Sequence, residues 1–164
     1  LMIRADEDMH AIVYWPMGSF SGRGWGDVEV ALGVLPFMAV PLFFTREMDI
    51  LLQGEKRALE LGVEVERTKR VLLVTAGVLT ALAVSVSGII GFVGLVVPHI
   101  VRLLAGPAHR GLLPVSLLAG ASMVVAADLL SRTVISPNEI PVGVVTTFVG
   151  APLFVYLLRR GRRL

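Results

Sequence analysis

Asp128 and Arg132 stand four residues apart in ADLLSR, so on a helix they share one face and can pair. Two chemistries are open to them: an ion pair internal to the helix, or an arginine that points outward to an acidic partner in a charge-steered contact. Spacing alone leaves both open. In FVGLVVPHIVRLLA, His99 and Arg102 could form a proton relay, because ionisable groups among apolar ones are costly and often functional. The plainer reading is preferred, in which Arg102 snorkels to an interface and His99 hydrogen-bonds a neighbouring helix. The other two histidines, His10 and His109, lie far from His99 in sequence, which speaks against a histidine metal cluster. The chain has no cysteine, which rules out disulfides, thiolate catalysis and zinc–thiolate sites. It also contains no Walker sequence, HExxH or GxSxG. No catalytic residue, metal ligand or cofactor is therefore expected, and the chain does not read as an enzyme.

The elements that must hold these residues are set by composition. Apolar residues make up 55% of the chain and charged ones 17%, against about 25% charged in an ordinary soluble domain. The mean hydropathy is +0.78. A bilayer core about 30 Å thick needs about 20 residues of apolar helix, and four stretches fit. The first, Val28 to Thr45, carries Gly33, Pro36 and Pro41, which membrane helices tolerate where neighbours satisfy the freed carbonyls. The others are Val71 to Ile90, Leu112 to Leu130, and Ile140 to Leu158 with Pro141 and Pro152. Phe92 to Ala105 is too short to span unaided and contains Pro98, His99 and Arg102. The expected fold is all-α, a polytopic membrane helix bundle of about five transmembrane helices.

Basic residues decide the orientation. Loops on the cytoplasmic side carry the excess of Lys and Arg. If all five segments span and the C-terminus is inside, the inward parts 46–70, 106–111 and 159–164 hold eleven basic residues, and the outward parts hold Arg4, Arg23 and Arg132. The net charge of +2 gives no reason to expect nucleic acid. Before the first span, Arg4, Asp6, Glu7 and Asp8 come too early for a full crossing. Met9 to Phe20, with Tyr14 and Trp15 beside Pro16, suits a short interfacial helix, and Gly18 to Gly26 reads as a loop. Leu1, Met2, Ile3 and Arg4 resemble a cut edge rather than a signal peptide. The chain divides into 1–27, a first span at 28–45, a charged loop at 46–70, and the remaining spans with a basic tail at 71–164.

That loop is the most informative stretch. Leu51, Leu52, Ala58, Leu59, Leu61 and Val63 cannot all face lipid or water. A short helix from Glu55 to Leu61, flanked by Gly54 and Gly62, would present an apolar face ringed by charge, suited to a groove on a partner. A helix lying on the membrane surface explains the same pattern equally well. Gly88, Gly91 and Gly94 recur at the junction of the second and third apolar segments, where missing side chains permit close helix approach or a tight turn. Arg159, Arg160, Arg162 and Arg163 read as a positive-inside anchor.

Four stretches in one order resemble the FecCD-type permeases of ATP-binding-cassette importers for iron–siderophore, haem and cobalamin. They are LLQGEKRALELGV (51–63), SGIIGFVGLVVPHIVRLLAGPAHRGLLP (87–114), ADLLSR (127–132) and EIPVGVVTTFVGAPLFVYLLRR (139–160), the last with Ile140 where the family usually has Leu. The resemblance implies the second half of a ten-helix type II importer permease, with residues 1–27 supplying the end of a preceding span and its outward helix. The implied partners are a cytoplasmic ABC ATPase, a periplasmic or lipoprotein substrate-binding protein, a second permease copy, an N-terminal half not present here, and the lipid bilayer. The implied place is a prokaryotic plasma membrane, with the N-terminus of this segment outside and the C-terminus cytoplasmic. It assigns ATPase coupling to Leu52, Gly54, Glu55, Ala58, Leu61 and Gly62, binding-protein docking to Arg132, and helix packing or gating to Gly88, Gly91, Gly94 and Pro98. A reading from another class is a truncated membrane scaffold that transports nothing and whose loop only binds the bilayer.

Overall fold

The computed structural model describes residues 17–134 and 140–161, and every regular element among them is a helix. The chain is an all-α polytopic membrane bundle. In order the helices are α1 (Trp25–Leu32), α2 (Leu35–Phe43), α3 (Thr45–Leu51), α4 (Glu55–Glu60), α5 (Val65–Ser87), α6 (Val93–Ala105), α7 (His109–Thr133) and α8 (Val142–Gly161). Residues 9–16 of the expected interfacial helix, together with Arg4, Arg162, Arg163 and 135–139, lie outside the described residues.

Among the described residues, three units are long and apolar enough to cross a bilayer: Trp25–Phe43, Val65–Ser87 and His109–Thr133. Val93–Ala105 and Val142–Tyr156 are shorter apolar helices. The first span starts at Trp25 rather than Val28 and is broken between α1 and α2, where Pro36 enters the first turn of α2 and cannot donate back to α1. Thr45 opens the next helix instead of closing this one. The second span starts at Val65, six positions before the expected Val71, because Glu66, Arg67, Lys69 and Arg70 are good helix formers in a turn outside the apolar core. It ends at Ser87, and Gly88 turns the chain with φ +68°.

Several hydroxyl groups in the spans are satisfied on their own helices, whereas the buried Ser116 hydroxyl has no partner among the described residues. Thr80 donates to the Ala76 carbonyl at 2.8 Å, Ser122 to Leu118 at 2.8 Å and Thr147 to Gly143 at 2.7 Å. This back-bonding lets polar residues sit in apolar helices without water. α6 and α7 form an antiparallel pair with a core of Val97, Val101 and Leu112, backed by Val93, Ala119 and Met123. α8 packs on both, and α1 and α2 lie along α5. At one end of the bundle Ser19 N–H donates to the Ser87 carbonyl at 3.0 Å and Ile140 N–H to the Ser131 carbonyl at 3.2 Å. The opposite end carries α3, α4 and the α6–α7 turn.

Candidate functional site

Between the first two spans the chain forms a compact arm from α3 and α4. Gly54 and Gly62 bracket α4 with φ of +106° and +78°, a backbone that L side chains rarely adopt, so these glycines set where the short helix starts and stops. Val63 N–H returns to the Ala58 carbonyl at 2.9 Å and folds the exit of α4 back onto it. The arm has its own core of Ala58, Val63 and Val65, with Ile50 and Leu51 packed against it. An ion pair between Lys69 on α5 and Glu55 on α4 bridges the arm and the base of the span.

The structure separates the residues that the sequence grouped together. Leu52, Leu59 and Leu61 are exposed at 57%, 62% and 61%, whereas Ala58 is fully buried at 0%. Leu61 caps α4 rather than continuing it, so the helix ends at Glu60. Ala58 is therefore a packing residue inside the arm rather than part of its exposed face. Glu55 and the two glycines are exposed on the arm's surface. A cleft of about 410 Å³ runs beside them, lined by Phe44, Glu47, Ile50, Leu61, Val63 and Arg67 among others.

A second link, invisible in the motif, ties the arm to α7. Asp49 Oδ1 accepts from the His109 backbone N–H at 2.9 Å and from His109 Nδ1 at 2.6 Å. A carboxylate only accepts, so Nδ1 holds the proton. These bonds, the backbone one foremost, hold the Asp49 carboxyl below its ordinary value against the opposing effect of burial.

At the other end of α7, Asp128 and Arg132 form a two-pronged pair, with Arg132 Nε at 2.9 Å from Oδ2 and the second nitrogen at 3.2 Å from Oδ1. The internal ion pair is thus formed, and the arginine side chain is still 43% exposed. His99 and Arg102 are both exposed on the surface of α6, and His99 bonds to no neighbouring helix among the described residues. Gly91 approaches α8, where a Cβ would lie 3.9 Å from Thr147 Oγ1, while one on Gly94 would meet open space. Gly94 thus permits no close approach within this chain. Pro98 is half-buried in the middle of α6.

Phe92, which opens α6, has φ +66° and is the one non-glycine residue in the left-handed region among those described. Its ring meets Phe154 edge to face at 6.4 Å, and its Cβ abuts the bare backbone of Gly150. The Gly-Phe-Val-Gly and Gly-Ala-Pro segments, far apart in sequence, meet at this contact.

The sequence profile of the FecCD transport family matches residues 1–160, nearly the whole chain. The chain belongs to the FecCD transport family. The cobalamin import system permease protein BtuC of Halobacterium salinarum is 52% identical over 160 residues, which are 97% of this chain and 43% of that protein. The Fe(3+) dicitrate transport system permease protein FecD of Escherichia coli is 44% identical, covering 99% of this chain and 51% of its own. The hemin transport system permease protein HmuU of Yersinia pestis is 40% identical, with 98% and 48% covered. A solved metal-chelate type ABC transporter in an inward-facing conformation superposes with a TM-score of 0.87 at 35% identity, covering 94% of this chain and 50% of that one. The chain spans about half the length of the FecCD relatives it matches.

Proposed function

We propose that this chain forms the second half of the membrane permease of a binding-protein-dependent ABC importer for metal chelates of the iron–siderophore, haem or cobalamin kind. The observation that carries the reading is the arm: a self-packed pair of short helices at one end of the bundle, with leucines exposed among charges, in a chain of this transport family. The exposed Leu52, Leu59 and Leu61 with Glu55 form the face that enters a cleft of the cytoplasmic ATPase, and Gly54 and Gly62 fix its shape. The excess of basic residues on the arm's side supports a cytoplasmic location for it. Arg132, at the opposite end, meets a carboxylate of the substrate-binding protein by exchanging its bonds to Asp128. The permease performs no chemistry. ATP-driven closure of the ATPase moves the arm and shifts the bundle between outward-open and inward-open populations. The chelate passes between two permease copies and brings its own ligands, so no protein metal site is needed.

The test is capture of a purified ATPase subunit of a FecCD-type importer from the same organism by the detergent-solubilised protein, comparing wild type with Leu59→Glu and Leu61→Glu. Wild-type capture that either glutamate reduces at least tenfold supports the arm as the docking face. Failure of wild type to capture the ATPase would favour the non-transporting scaffold.

A further inference from the structure

Besides the packing of Val65, the first residue of α5, in its core, the arm is joined to the spans by two polar links of different character. Glu55–Lys69 joins two side chains exposed at 62% and 38%, free to rearrange in water. Asp49–His109 is tighter: the Asp49 side chain is 39% exposed, but the histidine side chain is only 9% exposed, and one carboxylate oxygen receives both its ring and its backbone N–H. His109 is the first residue of α7, and the preceding Ala108 offers no side-chain cap. Asp49 therefore caps α7 from 60 residues away and occupies the position where the helix dipole favours a negative charge. α7 has 25 residues with Pro114 in its second turn, so it is about 37 Å long. Its far end carries the Asp128–Arg132 pair. A displacement of α3 would act on the end of α7 through this contact, whereas the exposed Glu55–Lys69 link can slacken.

We propose that the Asp49–His109 contact is the joint through which the arm moves α7, which makes both residues positioning residues for coupled transport. The proposal rests on the reading of the arm as the ATPase-docking element. The experiment uses the complete permease–ATPase complex in lipid, with Asp49→Ala, His109→Ala, the double variant, and His109→Asn, whose amide N–H can replace that of Nδ1. Two quantities are read: capture of the ATPase, and the ratio of ATP hydrolysis with and without substrate-loaded binding protein. The expected result is that both single variants still capture the ATPase while the stimulation ratio falls at least fivefold. The double variant falls no further, and His109→Asn recovers most of the loss. A role confined to folding would lower capture and hydrolysis together and leave the ratio unchanged. An unchanged ratio in Asp49→Ala, or loss of capture in it, overturns the joint. Failure of the wild-type complex to assemble overturns the docking reading instead, so the two failures are distinguishable.

Discussion

Burial divides the arm's residues by role. Ala58→Glu would place a carboxylate at a site of 0% exposure among Val63 and Val65, at a cost of several kcal/mol. It is expected to unfold the arm and open the loop to protease, measured as cleavage within 46–70. Leu59→Glu, on an exposed side chain, should leave the loop resistant while abolishing ATPase capture. Asp49 gives a pH signature. Its folded carboxyl titrates below its unfolded value, so its stabilising bonds are fully present above about pH 4 and are lost as pH falls through the depressed folded value. Protection of the His109 amide from hydrogen exchange, taken relative to the intrinsic rate at each pH, should be high at neutral pH and fall only on strong acidification. In Asp49→Asn that acid-dependent step should disappear, and a step of unchanged size would contradict the assignment. Arg132→Glu sets two acidic groups four apart in place of an ion pair. Affinity for the binding protein is expected to fall at least tenfold, measured by surface plasmon resonance on the reconstituted permease.

Among the helices, the contact between the start of α6 and α8 is the most constrained. Phe92 holds a left-handed backbone that costs roughly 1–3 kcal/mol, and it is held there by Gly150 and Phe154. A side chain on Gly150 would collide with the Phe92 Cβ. Gly150→Val is expected to destabilise the bundle by about 1–3 kcal/mol, seen as a lower midpoint in thermal size-exclusion assays. A midpoint equal to wild type would show that the α6–α8 packing gives way freely. The apolar patterns of the spans were readable in sequence to within a few residues, but the ends shifted wherever charged helix formers extended a helix past the membrane, as at Val65 and His109. The break between α1 and α2 falls at Pro36 inside a stretch expected as one span, and α3 was not signalled either, since TREMDIL has no clear start or stop.

The molecule exposes much of its apolar surface. Of the three long spans, only 0%, 6% and 11% of the hydrophobic windows are buried, and side chains such as Leu104, Leu118 and Phe148 are exposed at 83%, 72% and 80%. Lipid and the rest of the permease are the proposed cover. Co-expression with a matching N-terminal half should therefore restore chelate uptake, and normal uptake by this chain alone would sink the idea of a half permease. Orientation is open to a direct test because the sequence has no cysteine to mask. Lys56→Cys should react with a membrane-impermeant maleimide only in inverted vesicles, and Val134→Cys only in intact cells. The reverse pattern would invert the topology.

By itself the sequence determined the solvent, the class and the family, because these follow from local quantities: apolar length, charge distribution along the chain and ordered motifs such as GFVGLVVPH and PVGVV. It also located the arm through its paired glycines. Only the tertiary structure decided which arm residues face outward, that Arg132 already holds Asp128, and that Asp49 caps a helix 60 positions away. Each of these depends on which surfaces meet when separate helices pack. A linear pattern of residue types carries the periodicity of one helix but not the identity of the neighbour that its face will find.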